Sequence, residues 1–218
     1  MVKYYIVGAG GQARQVLSIS RRMIPSISVA GFIGLENEKG KYINNVEVVT
    51  ESDIGHFERK EILLLNGLGR PNRKVVIERL LSNGFIFSSL IHPASDIGDY
   101  VSVGSGTIIQ SGVGVMTNVE LERFILIDMN ATIGHDVSIG NYTTISTGVN
   151  IAGGVSIGEG CWIGSGSTII EGISIGNNTL IGAGSIVTRD IGDNKLAYGV
   201  PAKVVREISD VSYELIRK

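Results

Sequence analysis

The sequence predicts a mixed fold: a small α/β unit over residues 1–88, then a parallel β-helix with a short C-terminal segment over residues 89–218. Two patterns carry this expectation. From Ile91 to Val187 every sixth residue is aliphatic, running through Ile97, Val103 and Ile109 without a break. The residue four places after each is small or β-branched, as in Val101, Thr107, Ala131 and Cys161. A helix repeats every 3.6 residues and a strand every two, so neither gives an unbroken six-fold column. A solenoid of short strands does, because each coil stacks its inward residues on the next. Ahead of the repeat, apolar strand-like runs alternate with helix-like stretches, the pattern of a parallel sheet with crossover helices.

In chain order, residues 3–7 read as a strand. Gly8-Ala9-Gly10-Gly11-Gln12-Ala13 follows, and residues 14–23 look helical. Strand, glycine turn and helix with G-x-G-x-x-A spacing form a Rossmann-like start, whose helix N-terminus offers free N–H groups to a phosphate. Residues 28–33 read as a second strand ending in Gly34-Leu35-Glu36, and residues 46–49 and 61–65 as further strands. Residues 71–83 have helical character, with Val75, Ile77, Leu80 and Leu81 as buried candidates. His92-Pro93 marks the junction with the repeat. There Gly often follows the aliphatic residue (Gly98, Gly134, Gly164), and the expected corners need Gly or Asn at positive φ. Residues 190–195 are polar and turn-rich, Tyr198 to Lys203 follow, and a short helix is expected to end at Lys218.

Composition narrows the function classes. A net charge of −2 gives no electrostatic footprint for nucleic acid. No apolar run reaches membrane-spanning length, and the first eight residues lead into a strand where a signal peptide would need an apolar stretch. One cysteine, Cys161, excludes an internal disulfide and fits a reducing cytoplasm. It stands in the inward column of small residues, where a thiol packs as a small hydrophobe.

Three histidines occur, and His135 stands apart from His56 and His92. Two places after the aliphatic column, it faces outward from a coil. Position alone fits a solvated surface residue as well as a proton acceptor. Asp136 could fix the imidazole tautomer, although neighbours on a strand point to opposite sides, so the pair needs corner geometry. One coil above His135 lies Gly153, either a plain corner glycine or a place where a ligand approaches the backbone.

Three segments together resemble the hexapeptide-repeat sugar O- and N-acyltransferases: the Gly8 to Ala13 turn, Ile133-Gly134-His135-Asp136, and Gly199-Val200-Pro201-Ala202-Lys203. The group includes nucleotide-amino-sugar N-acetyltransferases and sialic acid O-acetyltransferases. The resemblance implies left-handed winding with three hexapeptides per coil, so that residues 18 apart lie above one another. It implies a homotrimer in which His135 is the general base and Asp136 its modulator. The nucleotide-linked amino sugar would be held by Gly8, Gly10, Gly11, Gln12, Ala13, Arg14, Gly34, Leu35, Gly67 and Gly69. Acetyl-CoA would lie between subunits in a groove lined by Thr144, Gly153, Ser165 and Ala183, with no metal. Outward apolar residues at Ile109, Met116, Met129 and Ile170 are the expected assembly surface. Many members carry an acidic residue before the histidine, an Asn seven before it and a second His nine after it. This chain has Gly134, Asp128 and Thr144 there.

The expected activity is acetyl-CoA-dependent N-acetylation of a nucleotide-linked 4-amino-4,6-dideoxy sugar for surface glycans. O-acetylation of a sialic-acid-type sugar and a non-catalytic nucleotide-sugar-binding scaffold are the rivals. A zinc hydratase of the same architecture needs three histidines around the metal, and the spacing of His92 and His135 is not a whole number of coils. A nicotinamide dehydrogenase would need a longer first unit and an acid placed for the ribose, where only Glu36 is near.

Overall fold

The computed structural model describes residues 2–69 and 73–209. The chain begins with β1 (Lys3–Val7), α1 (Gly11–Ser20), β2 (Val29–Ile33), β3 (Tyr42–Ile43), β4 (Val46–Val49) and α2 (Glu51–Ile54). It continues with β5 (Ile62–Asn66) and α3 (Arg73–Ser82). The sheet order is β3-β4-β2-β1-β5, parallel except for the β3 edge. Strand alternation sends Ile6 and Leu65 to a core shared with Ala13, Val16 and Leu17 of α1. Tyr5, Val7 and Leu64 go to the other face, with Ile77 and Leu80 of α3. Of the apolar residues expected to bury on α3, Val75 instead points to solvent at 74% exposure. The inward stripe runs through Ile77 and Leu80, and Val75 is off that face. Pro71 and Asn72, in the expected helix, lie outside the described residues.

Beyond residue 88 the chain winds in two-residue strands six residues apart, each paired in parallel with the strand 18 residues on: Gly114↔Thr132, Glu120↔Ser138, Leu126↔Thr144. Three sheets result. The first runs from Asp96–Ile97 to Ile186–Val187, the second from Ser102–Val103 to Ser174–Ile175, and the third from Leu90–Ile91 to Leu180–Ile181. Both repeat columns point inward and form one continuous core, from Ile109 and Val113 to Ile181 and Val187. Ile109 is therefore wholly buried and no part of an assembly surface, while Met116, Met129 and Ile170 are exposed. A hairpin of Lys195–Gly199 and Ala202–Glu207 extends the third sheet. The helix expected to end at Lys218 lies largely outside the described residues, and 202–207 is strand.

The corner glycines divide into two classes with different causes. Positive φ falls three places after the aliphatic residue, at Gly112, Asn118, Asn130, Asp136 and Gly154 among others. The glycine directly after the aliphatic residue has no positive φ; it is required by proximity. A Cβ on Gly134 would come 2.6 Å from the Gly153 nitrogen, and one on Gly164 2.5 Å from that of Ala183.

Three corners break the small-residue pattern, at Tyr100, which is exposed, and at Phe124 and Tyr142, which are buried. Phe124 and Tyr142 both sit at φ 61° with rings stacked 5.2 Å apart, and Phe87 meets Phe124 edge-on. A left-handed conformation costs a bulky residue about 1–2 kcal/mol, which docking against the core of the amino-terminal sheet offsets. Beside them the buried Arg73 donates to Thr144 Oγ1 at 3.0 Å and to the carbonyls of Tyr142 (2.6 Å), Thr143 (3.1 Å) and Phe124 (3.2 Å). Burial pulls its pKa down to about 10. Leu90, Ile108 and Leu126 of the third sheet pack on α1. The amino-terminal unit thus sits on that sheet.

Candidate active site

His135 occupies the corner between the first and second sheets, and the turn there resolves the problem of adjacent side chains. Asp136 takes the left-handed conformation, φ 59°, which swings its carboxylate back beside the preceding imidazole. His135 Nδ1 lies 2.7 Å from Asp136 Oδ2, and the two side chains are 50% and 58% exposed. With the proton on Nδ1 donated to the carboxylate, Nε2 is left as an acceptor. The bond from His135, followed by that from Asn118, holds the Asp136 carboxyl below the usual carboxylate range. Asn118 Nδ2 donates to Asp136 Oδ1 at 3.2 Å from one coil below. Sequence reading missed Asn118, although a step of 18 residues back from Asp136 finds it.

Gly153 lies directly over the ring. A Cβ there would come 2.6 Å from both Nε2 and Cε1 of His135. The bare backbone leaves the imidazole its present position, and among the described residues no acceptor takes the Gly153 N–H. Ser165 and Ala183 stack one coil apart at the corner between the third and first sheets, linked by Gly184 N–H donating to Ser165 O at 2.9 Å. The chain thus places them across the first sheet from His135. Thr144 departs from expectation. It is sealed in the third sheet at 2% exposure, its hydroxyl engaged by Arg73, so it lines no open groove of this chain. The cause is α3, whose first residue fills the space above it.

The residues expected to hold a nucleotide do converge. Strand order reverses between β1 and β5, and such a switch point opens a crevice at the carboxyl ends of the strands. Gly8 (φ 95°) turns the chain after β1, its N–H bonded to Ile33 O at 2.8 Å. Gly10 is the N-cap of α1 and no side chain caps that helix, so the N–H groups of Gly11, Gln12 and Ala13 are available to an anion. Gly67 lets the loop after β5 close on α1, since a Cβ there would come 3.0 Å from Ala13 Cα, and Gly69 abuts Gln12. Gly34 packs on Val48, Leu35 is exposed beyond it, and Arg14 is exposed on the first turn of α1.

Cys161 is buried, with its thiol 3.0 Å from Gly176 O, and burial pushes its pKa up to about 11. That is an unreactive core thiol. Among the described residues no three His, Cys, Asp or Glu side chains are grouped to hold a metal ion. No helix among them is long and apolar enough to cross a membrane.

Known proteins resemble the chain in sequence and in fold. Residues 154–189 match the family model described as bacterial transferase hexapeptide (six repeats). The GDP-perosamine N-acetyltransferase of Escherichia coli O157:H7 is 28% identical over 141 residues, which are 63% of this chain and 64% of that relative. The chain thus matches just under two thirds of that protein's length. PerB from Caulobacter crescentus, solved in complex with CoA and GDP-perosamine, superposes with a TM-score of 0.86 at 28% identity, covering 94% of this chain and 97% of that one. The acetyltransferase domain of PglB from Neisseria gonorrhoeae FA1090 shares the fold, with a TM-score of 0.85 at 23% identity over 93% of this chain and 99% of that one.

Proposed function

We propose that the chain is a hexapeptide-repeat acyltransferase that transfers the acetyl group of acetyl-CoA to the amine of a nucleotide-linked 4-amino-4,6-dideoxy sugar, a reading supported by the family-model match and by the similar proteins. The observation that carries this reading is the His135–Asp136 pair, 2.7 Å apart under the bare backbone of Gly153. PerB from Caulobacter crescentus is in complex with CoA and GDP-perosamine, ligands of the corresponding classes.

In this mechanism the sugar amine attacks the thioester carbonyl directly. As the N–C bond forms, His135 Nε2 takes a proton from the nitrogen, and Asp136 stabilises the imidazolium through Nδ1–H. The Gly153 N–H is available to the carbonyl oxygen as it gains charge. The C–S bond then breaks, and the thiolate leaves with a proton returned through the imidazole. The inert Cys161 leaves no place for an acyl-enzyme.

The reading divides the chain at residue 88 into a Rossmann-like unit that holds the nucleotide and a left-handed β-helix that transfers the acetyl group. It also calls for a cytoplasmic homotrimer. His135 and the Ser165–Ala183 column occupy opposite edges of the first sheet, so one groove lined by both requires two chains. Exposed Met116 and Ile170 on that sheet, with Met129 at its edge, supply an apolar contact. Free-thiol release from acetyl-CoA, followed with GDP- and UDP-linked 4-amino sugars and with free sialic acids, tests the proposal. Turnover with a nucleotide amino sugar supports it. Turnover with sialic acids alone replaces N- by O-acetylation, and no turnover with any of them overturns it.

A further inference from the structure

Along the edge of the third sheet, the residues that follow the inward aliphatic column stack as His92, Gln110, Asp128 and Ser146. Each donates its backbone N–H to the next coil, at 2.8–3.0 Å for the last three. Three of them are sealed: His92, Gln110 and Ser146 are 7%, 6% and 5% exposed. Asp128, between Gln110 and Ser146, alone stays partly open. Among the described residues no donor reaches its carboxylate.

Helix α1 runs alongside this column. Burial, and then the charge of Arg22 just beyond the C-terminus of α1, holds the His92 imidazole below its usual range. Gln110 Nε2 donates to Gln15 Oε1 at 2.8 Å. Gln12 lies three residues earlier on the same helical face, a rise of about 4.5 Å. The next coil of the column is about 4.8 Å on. From His92 to Gln110 the column runs from the C-terminal end of α1 toward its N-terminus, so Asp128, one coil further, continues toward the first turn, where the side-chain nitrogen of Gln12 is buried without a partner. A diphosphate held by that turn would hand on its sugar toward the coil that carries Asp128.

We propose that Asp128 is the residue that selects an amino sugar, its carboxylate receiving the protonated amine of the nucleotide-linked substrate. This rests on the nucleotide-sugar reading above and goes beyond it by assigning amine recognition to a side chain. One N–H proton passes from the ammonium to the carboxylate, leaving a neutral amine and a carboxylic acid. The second proton departs to His135 of a neighbouring copy as the N–C bond forms, and solvent reionises Asp128 after product leaves. Burial already raises Asp128 to about 6, with Arg73 opposing, a range in which a carboxylate can accept such a proton. Arg73 from α3 is the charge that acts on it, with His92 two coils away; Gln12 and Gln15 from α1 are neutral.

The test is calorimetric binding, which needs no turnover. GDP-perosamine and UDP-linked 4-amino-4,6-dideoxyglucose are each compared with their 4-hydroxyl counterparts, on the wild type and on Asp128→Asn. At pH 6.5 the wild type should bind the better-fitting amine at least tenfold more tightly than its hydroxyl counterpart. Asp128→Asn should reduce that ratio to within about threefold of unity while binding of free GDP or UDP stays unchanged. At pH 9.5, where the amine is neutral, the wild-type preference should shrink toward that of the variant. An unchanged ratio in Asp128→Asn, an equal loss of amine, hydroxyl and free nucleotide binding, or no binding of either sugar by the wild type overturns the proposal. A wild type that prefers the amine yet transfers no acetyl group would leave amine selection standing and remove the acetyltransferase reading.

Discussion

Gly153 and His135 are in van der Waals contact through a face that has no room for a methyl group: a Cβ on Gly153 would lie 2.6 Å from Nε2. Gly153 has no positive φ, so alanine is conformationally allowed there. The obstacle is an exposed ring that can swing aside, which makes the substitution inexpensive for folding. Swinging aside breaks the bond to Asp136. Gly153→Ala should therefore keep the melting temperature within about 2 °C, a shift of at most about 1 kcal/mol, while kcat falls about a hundredfold from misplacement of the base. Full activity in the folded variant would show that the ring's position is immaterial.

His135 and Cys161 separate two mechanisms. His135→Ala leaves the aliphatic columns intact and should lower kcat by about a hundredfold to ten-thousandfold. Part of the loss should return at high pH, where neutral amine is abundant. Cys161→Ala removes a buried sulfur and should cost roughly 1 kcal/mol of stability with most activity kept. An inactive, folded Cys161→Ala beside a nearly normal His135→Ala would establish an acyl-enzyme.

The Asp136 carboxyl is held below its ordinary range by His135 and then Asn118, so it is anionic across pH 5–9 and adds no limb to the rate profile there. For a lowered acid, any stability it lends is present above its unfolded pKa and disappears as pH falls through the folded one, here below about pH 4. Asp136→Asn should reduce kcat about tenfold to a hundredfold across pH 5–9. Asn118→Ala, which removes only the carboxylate's second anchor, should cost less than tenfold. A loss in Asp136→Asn confined to the acid end would show that this carboxyl titrates in the working range.

The repeat was legible because its cause is local: inward positions recur every six residues, and stacking every 18 converts a position into a neighbour. The same arithmetic reaches Asn118 from Asp136. It did not reveal which glycine column turns the corner, because positive φ and close approach both select glycine. The site was legible where it is built from one corner, as with His135, Asp136 and Gly153, and where a turn follows a strand, as at Gly8 to Ala13. Thr144 was misread because its environment is made by Arg73, 71 residues away and on another element. Periodicity carries no signal for such docking. Phe124 and Tyr142, bulky residues at corners, were only a partial sign that something packs there, since Tyr100 stands at the same kind of corner and is exposed.

Arg73 measures that docking. Its guanidinium serves three carbonyls and one hydroxyl in a buried place. Arg73→Ala would take this donor from the Phe124 and Tyr142 carbonyls, while Thr143 O keeps the N–H of Leu126, at a cost of about 1–3 kcal/mol for each buried acceptor left unsatisfied. The two parts of the chain should then melt less cooperatively in a calorimetric scan, since the sheet's hold on α3 is weakened. A variant with unchanged melting would mean that the stacked Phe124 and Tyr142 rings hold the units together by themselves.

Asp128 supplies a stability test with a definite sign. Its carboxyl is raised from 3.8 to about 6, chiefly by burial. A raised acid binds its proton more tightly in the folded state, so the folded protein is penalised as pH climbs from about 4 to 6, and the penalty is complete above that. Two pKa units correspond to roughly 3 kcal/mol at most, a ceiling because the group keeps some contact with water. Asp128→Asn removes the charge but leaves an amide to be solvated, so the net gain at pH 7.5 should be on the order of 1 kcal/mol. At pH 4 the gain should vanish, since the wild-type group is protonated there. Denaturant unfolding of both proteins at the two pH values decides it. A variant less stable than wild type at pH 7.5 would mean that the charge is satisfied in the ligand-free protein, and the site would lose its readiness for an ammonium group.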